Sequence, residues 1–300
     1  MEYRTPQFRR LSEDQLRRIH HASLEILDRT GVCLYDEEAL DLMRKAGVKV
    51  FDGNRVRIPP SLVEWALSLA PNHMTICDRY GRRVMPLERN NVFFGPGSDC
   101  LWVMDHRTGE RRRGTLDHIE QAMRVCDALP NIDFVMSTCI ASEIEDQTIA
   151  DRYQMRAMLM NTTKPIIFVT PDLAGCKDVV EMAEVVAGGE EELRRDPTVI
   201  CYTNIVHPLR HNEESLQRLL FMAEKGLPNI YCMVVNGGAT APVTAAGGMA
   251  LANAGELVGV VLSQLKREGA PIILSGGYAH AFGMRSGRGS GGRPRVQGSR

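Results

Sequence analysis

The sequence predicts an α/β fold: an incomplete (β/α)8 TIM-type barrel preceded by an α+β N-terminal extension. Three observations predict it. From residue 115 onward, helical and strand patterns alternate strictly. The strands there are apolar without polar alternation, the mark of a parallel sheet buried on both faces. No glycine-rich dinucleotide fingerprint follows the first strand, the units are regularly spaced, and each strand ends in small or polar residues that can line one rim. These last features favour a barrel over a doubly wound open sheet.

The N-terminal extension spans residues 1–114. Ser12 with Gln15 forms a capping-box pattern ahead of Leu16, Ile19, Leu24 and Leu27, and Gly31 closes that helix. Asp36 starts a second helix that ends at Gly47. VKVFDGNRVRIP reads as a hairpin turning at Asp52-Gly53-Asn54, and Pro60 suits the first turn of a short helix. MTICD, RRVMP, NVFFG and CLWVMD read as short β runs, with RTGERRR as a tight turn. Arg111, Arg112 and Arg113 beside Glu110 read as a solvated hairpin edge, since no aromatics are interleaved nearby, with a phosphate or RNA contact as the alternative.

Residues 115–283 hold five β/α units. Thr115 caps a helix to Cys126, and DFVMSTC is the first strand. The others are PIIFVT, PTVICYTN, NIYCMVVN and APIILSGG, with helices over 148–160, 173–186, 213–224 and 244–266 between them. A barrel needs eight strands, so three are missing. Residues 284–300, MRSGRGSGGRPRVQGSR, contain no acid and no periodic apolar pattern and read as a disordered Gly/Arg-rich tail. The expectation is a chain truncated at its C-terminal side.

Composition narrows the class. The 300 residues are 44% hydrophobic, and 36 Lys+Arg against 37 Asp+Glu leave a formal net charge of -1. Mean hydropathy is -0.19. This balance offers no global attraction to nucleic acid or anionic membrane. The N-terminus lacks a signal-peptide core, and Asn253 and Glu256 interrupt the longest apolar stretch, so a cytoplasmic protein without a membrane span is expected. The eight cysteines, at 33, 77, 100, 126, 139, 176, 201 and 232, contain no CxxC and read as reduced.

A site is expected at the C-terminal strand ends. The candidates there are Thr138, Glu143, Glu145 and Asp146, then Thr170 and Asp172, then Asn204 and His207. Asn236, Gly237, Gly238, Thr240 and Thr244 follow, and finally Ser275, Tyr278 and His280. Glu143 and Glu145 offer carboxylates for a cation, or simply open the next helix. Asn204 and Asn236 end successive strands and carry both donor and acceptor groups for a polar substrate end, such as a carboxylate, with His207 and Thr240 above them. In VVNGGATAPVTAAGG, Gly237 and Gly238 let the backbone approach a ligand closely. The following Ala/Gly helix suits tight packing on the sheet. Pro208 spoils any i,i+4 metal pair of His207 with His211, and HExxH, GxSxG and GxxxxGK[ST] are absent, so no bound metal and no catalytic nucleophile are expected.

The order of segments resembles the trimethylamine methyltransferase family. The resemblance runs through LRRIHHASLEILDRTGV, LMRKAGVKV, RVRIPPSLVEWAL, NVFFGPGSDC, LDHIEQAMRVCDALPNIDFV and TNIVHPLR. It is sharpest in NGGATAPVTAAGGMALANAGELVGVVLSQL followed by GAPIILSGG, and covers roughly residues 8–278. It implies methyl transfer from a tertiary or quaternary methylated amine, trimethylamine or betaine-like, to the Co(I) of a corrinoid. The corrinoid rides on a cognate partner protein and no cofactor is bound tightly. It leaves a homo-oligomer open. Family members specific for trimethylamine carry pyrrolysine in the C-terminal part of the barrel, whereas relatives acting on glycine betaine lack it, and this sequence stops short of that region. The alternative expectation is a truncated non-catalytic barrel fragment or a small-molecule-binding protein.

Overall fold

A computed structural model describes residues 10–279, 282–283 and 288–289. Helix α1 (Glu13–Glu25) opens on the expected box: Ser12 Oγ accepts from Gln15 N at 3.2 Å, and Gln15 Oε1 from Ser12 N at 2.9 Å. A π-helical turn, Ile26–Thr30, runs into β1 (Val32–Leu34), and Asp36 caps α2 (Glu37–Lys45). The hairpin β2 (Val50–Phe51) and β3 (Arg55–Val56) precedes α3 (Pro60–Leu69). Two antiparallel pairs follow: β4 (Met74–Cys77) with β5 (Arg83–Leu87), and β6 (Trp102–Met104) with β7 (Arg111–Arg113).

The alternating part begins with α4 (Leu116–Ala128), capped by Thr115, and α5 (Ala150–Asn161). Then come β8 (Ile166–Phe168), α6 (Leu173–Ala187), the short α7 (Glu190–Arg195), β9 (Val199–Ile205) and β10 (Arg210–His211). Next are α8 (Glu213–Lys225), β11 (Asn229–Asn236), α9 (Ala245–Lys266) and β12 (Ile272–Ala279). A two-residue ladder pairs β13 (Phe282–Gly283) with β14 (Arg288–Gly289). The rest of the 284–300 segment lies outside the described residues.

The central sheet is parallel, in the sequential order β8-β9-β11-β12. Each crossover carries helices, as strictly alternating units require. The mixed α/β class with a parallel sheet therefore holds. The described strands form an open four-stranded array, and β12 has no described neighbour on its outer side.

Two sequence expectations are corrected here. DFVMSTC meets β8 through a single parallel bridge, Val135 to Ile166, and forms no regular strand. Thr138 turns the chain with φ at 62°, and Cys139 N bonds Ser137 O at 2.7 Å, which breaks the extended run. NVFFG is also not a strand. The loop after Phe93 instead pairs with the segment beyond Ile132: Phe94 O accepts from Asp133 N at 2.7 Å and Gly97 O from Thr138 N at 3.1 Å. These loops thereby meet the hydrogen-bonding needs of one sheet edge.

Both sheet faces are covered. On one, Phe168, Val199 and Cys201 pack with Met155, Cys176 and Val180 of α5 and α6. On the other, Ile167, Ile200, Ile230 and Cys232 meet Ile76 and Met85 of the β4–β5 pair. The N-terminal extension shares a core with the alternating part, since Leu24, Leu27 and Leu34 join Tyr231, Val235, Leu257 and Val261 in one cluster. A feature without a signal in the sequence ties the two together: β1 pairs in parallel with β10, Cys33 opposite Arg210. Buried Ser23 adds a second tie, donating to Ala250 O at 2.8 Å and accepting from Asn253 Nδ2 at 2.9 Å.

Helix α9 is the one described helix long and apolar enough to cross a membrane, and 67% of that window is buried inside the fold. All eight cysteines are free.

Two buried titratable groups sit in this core. His211 shares a hydrogen bond with the Tyr231 hydroxyl at 2.7 Å and another with Pro208 O at 3.1 Å; burial pushes its imidazole down to about 4. Glu256 of α9 is 7% exposed, lies against Gly276 of β12, and its Oε1 has no hydrogen-bond partner among the described residues. Burial raises its carboxyl to about 7. The two act with opposite sign. His211 refuses a proton that the unfolded chain takes up near 6.5, so its stability contribution falls as pH drops from 6.5 to about 4. Glu256 keeps a proton that the unfolded chain loses near 4.5, so its contribution is complete below 4.5 and is lost as pH rises to about 7. Between these limits the slopes offset. Glu256→Gln removes one of them, and we expect urea denaturation of that variant at pH 4.5, 5.5 and 6.5 to lose stability toward acid more steeply than wild type, by about 1.4 kcal/mol per pH unit. Parallel profiles would show that Glu256 is ionised in the fold.

Candidate functional site

A cleft of about 520 Å³ opens where β8 and β9 end. Its walls come from three places: the loop Gly97–Ser98–Asp99, the β8 terminus at Val169, Thr170 and Pro171, and Tyr202 and Asn204 of β9, with Met136 and Arg218 completing it. Strand periodicity explains the β9 pair. Ile200 and Tyr202 share the face that packs on the β4–β5 hairpin, and Asn204 continues that face to the rim. The Tyr202 hydroxyl donates to Cys232 Sγ at 3.0 Å. Burial, this bond and the charge of Asp99 push the phenol pKa up. Asp99 adopts φ of 62° and accepts from Ser98 Oγ at 2.9 Å. Arg218 of α8 reaches the cleft from the helical side, with Nε donating to Glu214 O at 3.0 Å and Nη1 donating to Thr170 O.

Among the residues singled out by sequence, Asn204 and Thr170 line this cleft. Asn204 O accepts from Ser215 Oγ at 3.0 Å. Thr170 is buried and its hydroxyl donates to Asp172 O at 3.3 Å, while Asp172 caps α6 through Gly175 N. His207 lies in a separate hollow with Tyr35 and Arg210, and its Nδ1 accepts from Leu209 N at 3.2 Å.

Asn236 shares a sheet face with Asn204 but not a level. Asn204 stands opposite Cys232, so Asn236 lies four residues farther along, roughly 13 Å at about 3.3 Å per residue. There it anchors a closed loop. Asn236 N donates to Thr240 Oγ1 at 2.9 Å, and Asn236 O accepts from the backbone of Ala239, Thr240 and Ala241. Gly238 supplies the left-handed φ of 78° that the loop needs. Gly237 makes room for Tyr278: a Cβ there would overlap the phenol, whose hydroxyl donates to Val243 O at 2.5 Å. Thr244 caps α9 by accepting from Gly247 N.

Of the acidic trio, Glu143 Oε1 accepts from Leu116 N at 2.6 Å at the start of α4. Glu145 faces a separate surface hollow with Arg113 and Gln147. Asp146 accepts from Thr148 N and Oγ1, which lowers its carboxyl pKa. Ser275 stands opposite Cys232 on β12, Thr138 makes its turn beside the cleft loop, and His280 lies outside the described residues. Among the described residues, no group of three or more His, Cys, Asp or Glu side chains is placed to hold a metal.

Sequence reasoning missed Asp99, Tyr202 and Arg218. The last two left a signal: Tyr202 alternates with Ile200 and Asn204, and Arg218 falls one turn from Ser215 and Met222 on the buried face of α8. Asp99 left none.

Residues 1–299 match the family described as trimethylamine methyltransferase (MTTB). The chain belongs to this family. The match takes in both ends beyond residues 8–278. A glycine betaine methyltransferase of Desulfitobacterium hafniense (strain Y51) is 29% identical over 96% of this chain and 60% of its own length. The trimethylamine methyltransferase MttB of D. hafniense (strain DSM 10664 / DCB-2) is 30% identical over 87% of the chain and 53% of its own. Trimethylamine methyltransferase MttB1 of Methanosarcina mazei is 29% identical over 94% and 58%. The chain thus spans a little over half the length of the relatives it matches.

The glycine loop yields a test of local packing. The three nearest atoms that a Cβ on Gly237 would meet all belong to Tyr278. We expect Gly237→Ala to destabilise the protein by about 1–3 kcal/mol, and the cost to vanish in a Tyr278→Ala background, as read by a double-mutant cycle in denaturant. An undiminished cost in that background would place the constraint in the backbone.

Proposed function

We propose that this protein transfers a methyl group from a tertiary or quaternary methylated amine, trimethylamine or betaine-like, to the Co(I) corrinoid of a cognate partner protein in the cytoplasm. Its parallel sheet, in this reading, belongs to a (β/α)8 barrel. The observation that carries the reading is the family match over residues 1–299. The cleft at the C-terminal strand ends supports it, because that rim is where barrel enzymes place their chemistry.

The corrinoid is the methyl acceptor and enters as a substrate on its own protein. For a quaternary amine, or a tertiary one protonated on nitrogen, the carbon–nitrogen bond breaks with its electron pair staying on nitrogen, which leaves as the neutral amine. Co(I) supplies the two electrons of the new carbon–cobalt bond. This chain therefore needs no nucleophile of its own. Its task is to bind the amine, turn one methyl outward and exclude water. Tyr202 offers an aromatic face to an ammonium group, Met136, Val169 and Pro171 give apolar wall, and Asp99 supplies a negative charge. Asn204 orients a polar substrate end at the rim.

A second reading is favoured by the chain's share of its relatives' length: a protein that binds a methylated amine without transferring the methyl. Incubation with each candidate amine and a reduced corrinoid partner separates the two. We expect the Co(I) absorption to decay into that of methyl-cobalt(III). No methyl-cobalt with any tertiary or quaternary amine, while binding persists, would leave the second reading standing.

A further inference from the structure

Two cysteines meet at the edge of the cleft. Cys100 and Cys139 are partners in an isolated parallel bridge, held by Cys100 N donating to Thr138 O at 3.3 Å and Ile140 N donating to Cys100 O at 3.1 Å. Each follows a residue in the left-handed region, Asp99 and Thr138, both with φ of 62°. Bridge partners set their Cβ atoms on the same face, and paired strands lie about 4.8 Å apart. That spacing falls inside the Cα separation of roughly 4.4–6.8 Å that a disulfide spans. The thiols feel one another: burial pushes the Cys139 thiol up, and Cys100 is among the groups that raise it further. Their surroundings differ. Cys100 is the one exposed cysteine of the eight, whereas Cys139 is fully buried, its sulfur against Gly114 and Thr115 O.

We propose that Cys100 and Cys139 are a site of reversible oxidation, joined by a disulfide that locks the loop Gly97–Ser98–Asp99 onto the segment after Met136. The co-reactant is a small disulfide such as oxidised glutathione. The Cys100 thiolate attacks one of its sulfurs, the small S–S bond breaks, and one thiolate leaves. Cys139 then gives up its proton and attacks the Cys100 sulfur. The mixed S–S bond breaks and the second small thiol departs, so two protein thiols are oxidised and one small disulfide is reduced. No oxidant need enter the core, because Cys139 reacts only with its neighbour. The link bears on the cleft because Asp99 adjoins Cys100 and Thr138 N donates to Gly97 O at 3.1 Å. An isolated bridge of two hydrogen bonds opens more readily than a ladder, and a covalent bond there holds the wall that carries Asp99. In a reducing compartment the pair rests as two thiols. This chemistry does not depend on methyl transfer.

Incubation of the 300-residue chain with oxidised glutathione, followed by alkylation and peptide mapping by mass spectrometry, tests it. We expect one intramolecular link, Cys100 to Cys139, with two of the eight thiols lost and both restored by dithiothreitol. The linked protein should unfold at a Tm a few degrees higher than the reduced one. Cys100→Ser, at an exposed position, should form no link and show no Tm shift under the same treatment. Cys139→Ser should retain glutathione on Cys100. A wild-type chain that stops at a glutathione adduct, a link between any other pair, or an equal Tm rise in Cys100→Ser would each overturn the proposal. So would a linked protein whose Tm does not rise. The wild-type map decides even if Cys139→Ser fails to fold.

Discussion

Helix α9 approaches its neighbours too closely for side chains, and much of the structure depends on that approach. A Cβ on Gly248 would enter the ring of Tyr278, one on Gly259 the ring of Tyr231, and one on Gly255 the backbone at Pro208. Between these contacts the helix buries Leu257, Val258, Val260, Val261 and Leu262, each contributing roughly 2 kcal/mol by burial. Its other sides receive α1, α3 and α8, so the sheet and the N-terminal extension meet on one helix. Small residues set the spacing, and large ones in the gaps hold it. The pattern that begins at Thr244 is thus a packing device first. Its effect on the site is indirect, through the position of β11 and β12.

The cleft depends on a different junction. β8 ends opposite Cys201, β9 runs on to Ile205 opposite Met233, and β11 continues to Asn236, so the sheet rim is stepped. The loop around Gly97 fills the step from the side, held to the segment after Ile132 by backbone hydrogen bonds. This brings a carboxylate from the N-terminal extension, a phenol from β9 and a guanidinium from α8 to the same hollow. Elements that belong to different parts of the chain therefore build one site. Its charges are fixed by backbone carbonyls and turns rather than by each other.

Local signals in the sequence carried most of the fold. Caps at Ser12, Asp36, Thr115 and Thr244 and apolar runs without alternation place the helices and the parallel strands, because each rests on contacts within a few residues. What stayed hidden depends on distant partners. The pairing of β1 with β10 joins residues far apart in sequence, and neither short run is distinctive. DFVMSTC reads as a strand by composition, and only the positive φ at Thr138 shows why it is not one. For the site, the rim was foreseeable and Asn204 and Thr170 lie on it. The four-residue step that separates Asn236 from Asn204 is a matter of register, which composition does not encode. Asp99 sits in a loop whose place is set entirely by the segment it pairs with.

The β1–β10 ladder also dictates an order of events during synthesis. Cys33 leaves the ribosome long before its partner Arg210, and Ser23 before Ala250. At about 5–20 residues per second, the N-terminal segment waits roughly 10–40 s for these partners. Throughout that interval Leu24, Leu27 and Leu34, all buried in the finished protein, lack the share of their core that β11 and α9 supply. Until α9 emerges they can pack only on neighbours of their own segment, such as Leu40, Met43, Val56 and Val63, and its arrival closes the first core over them.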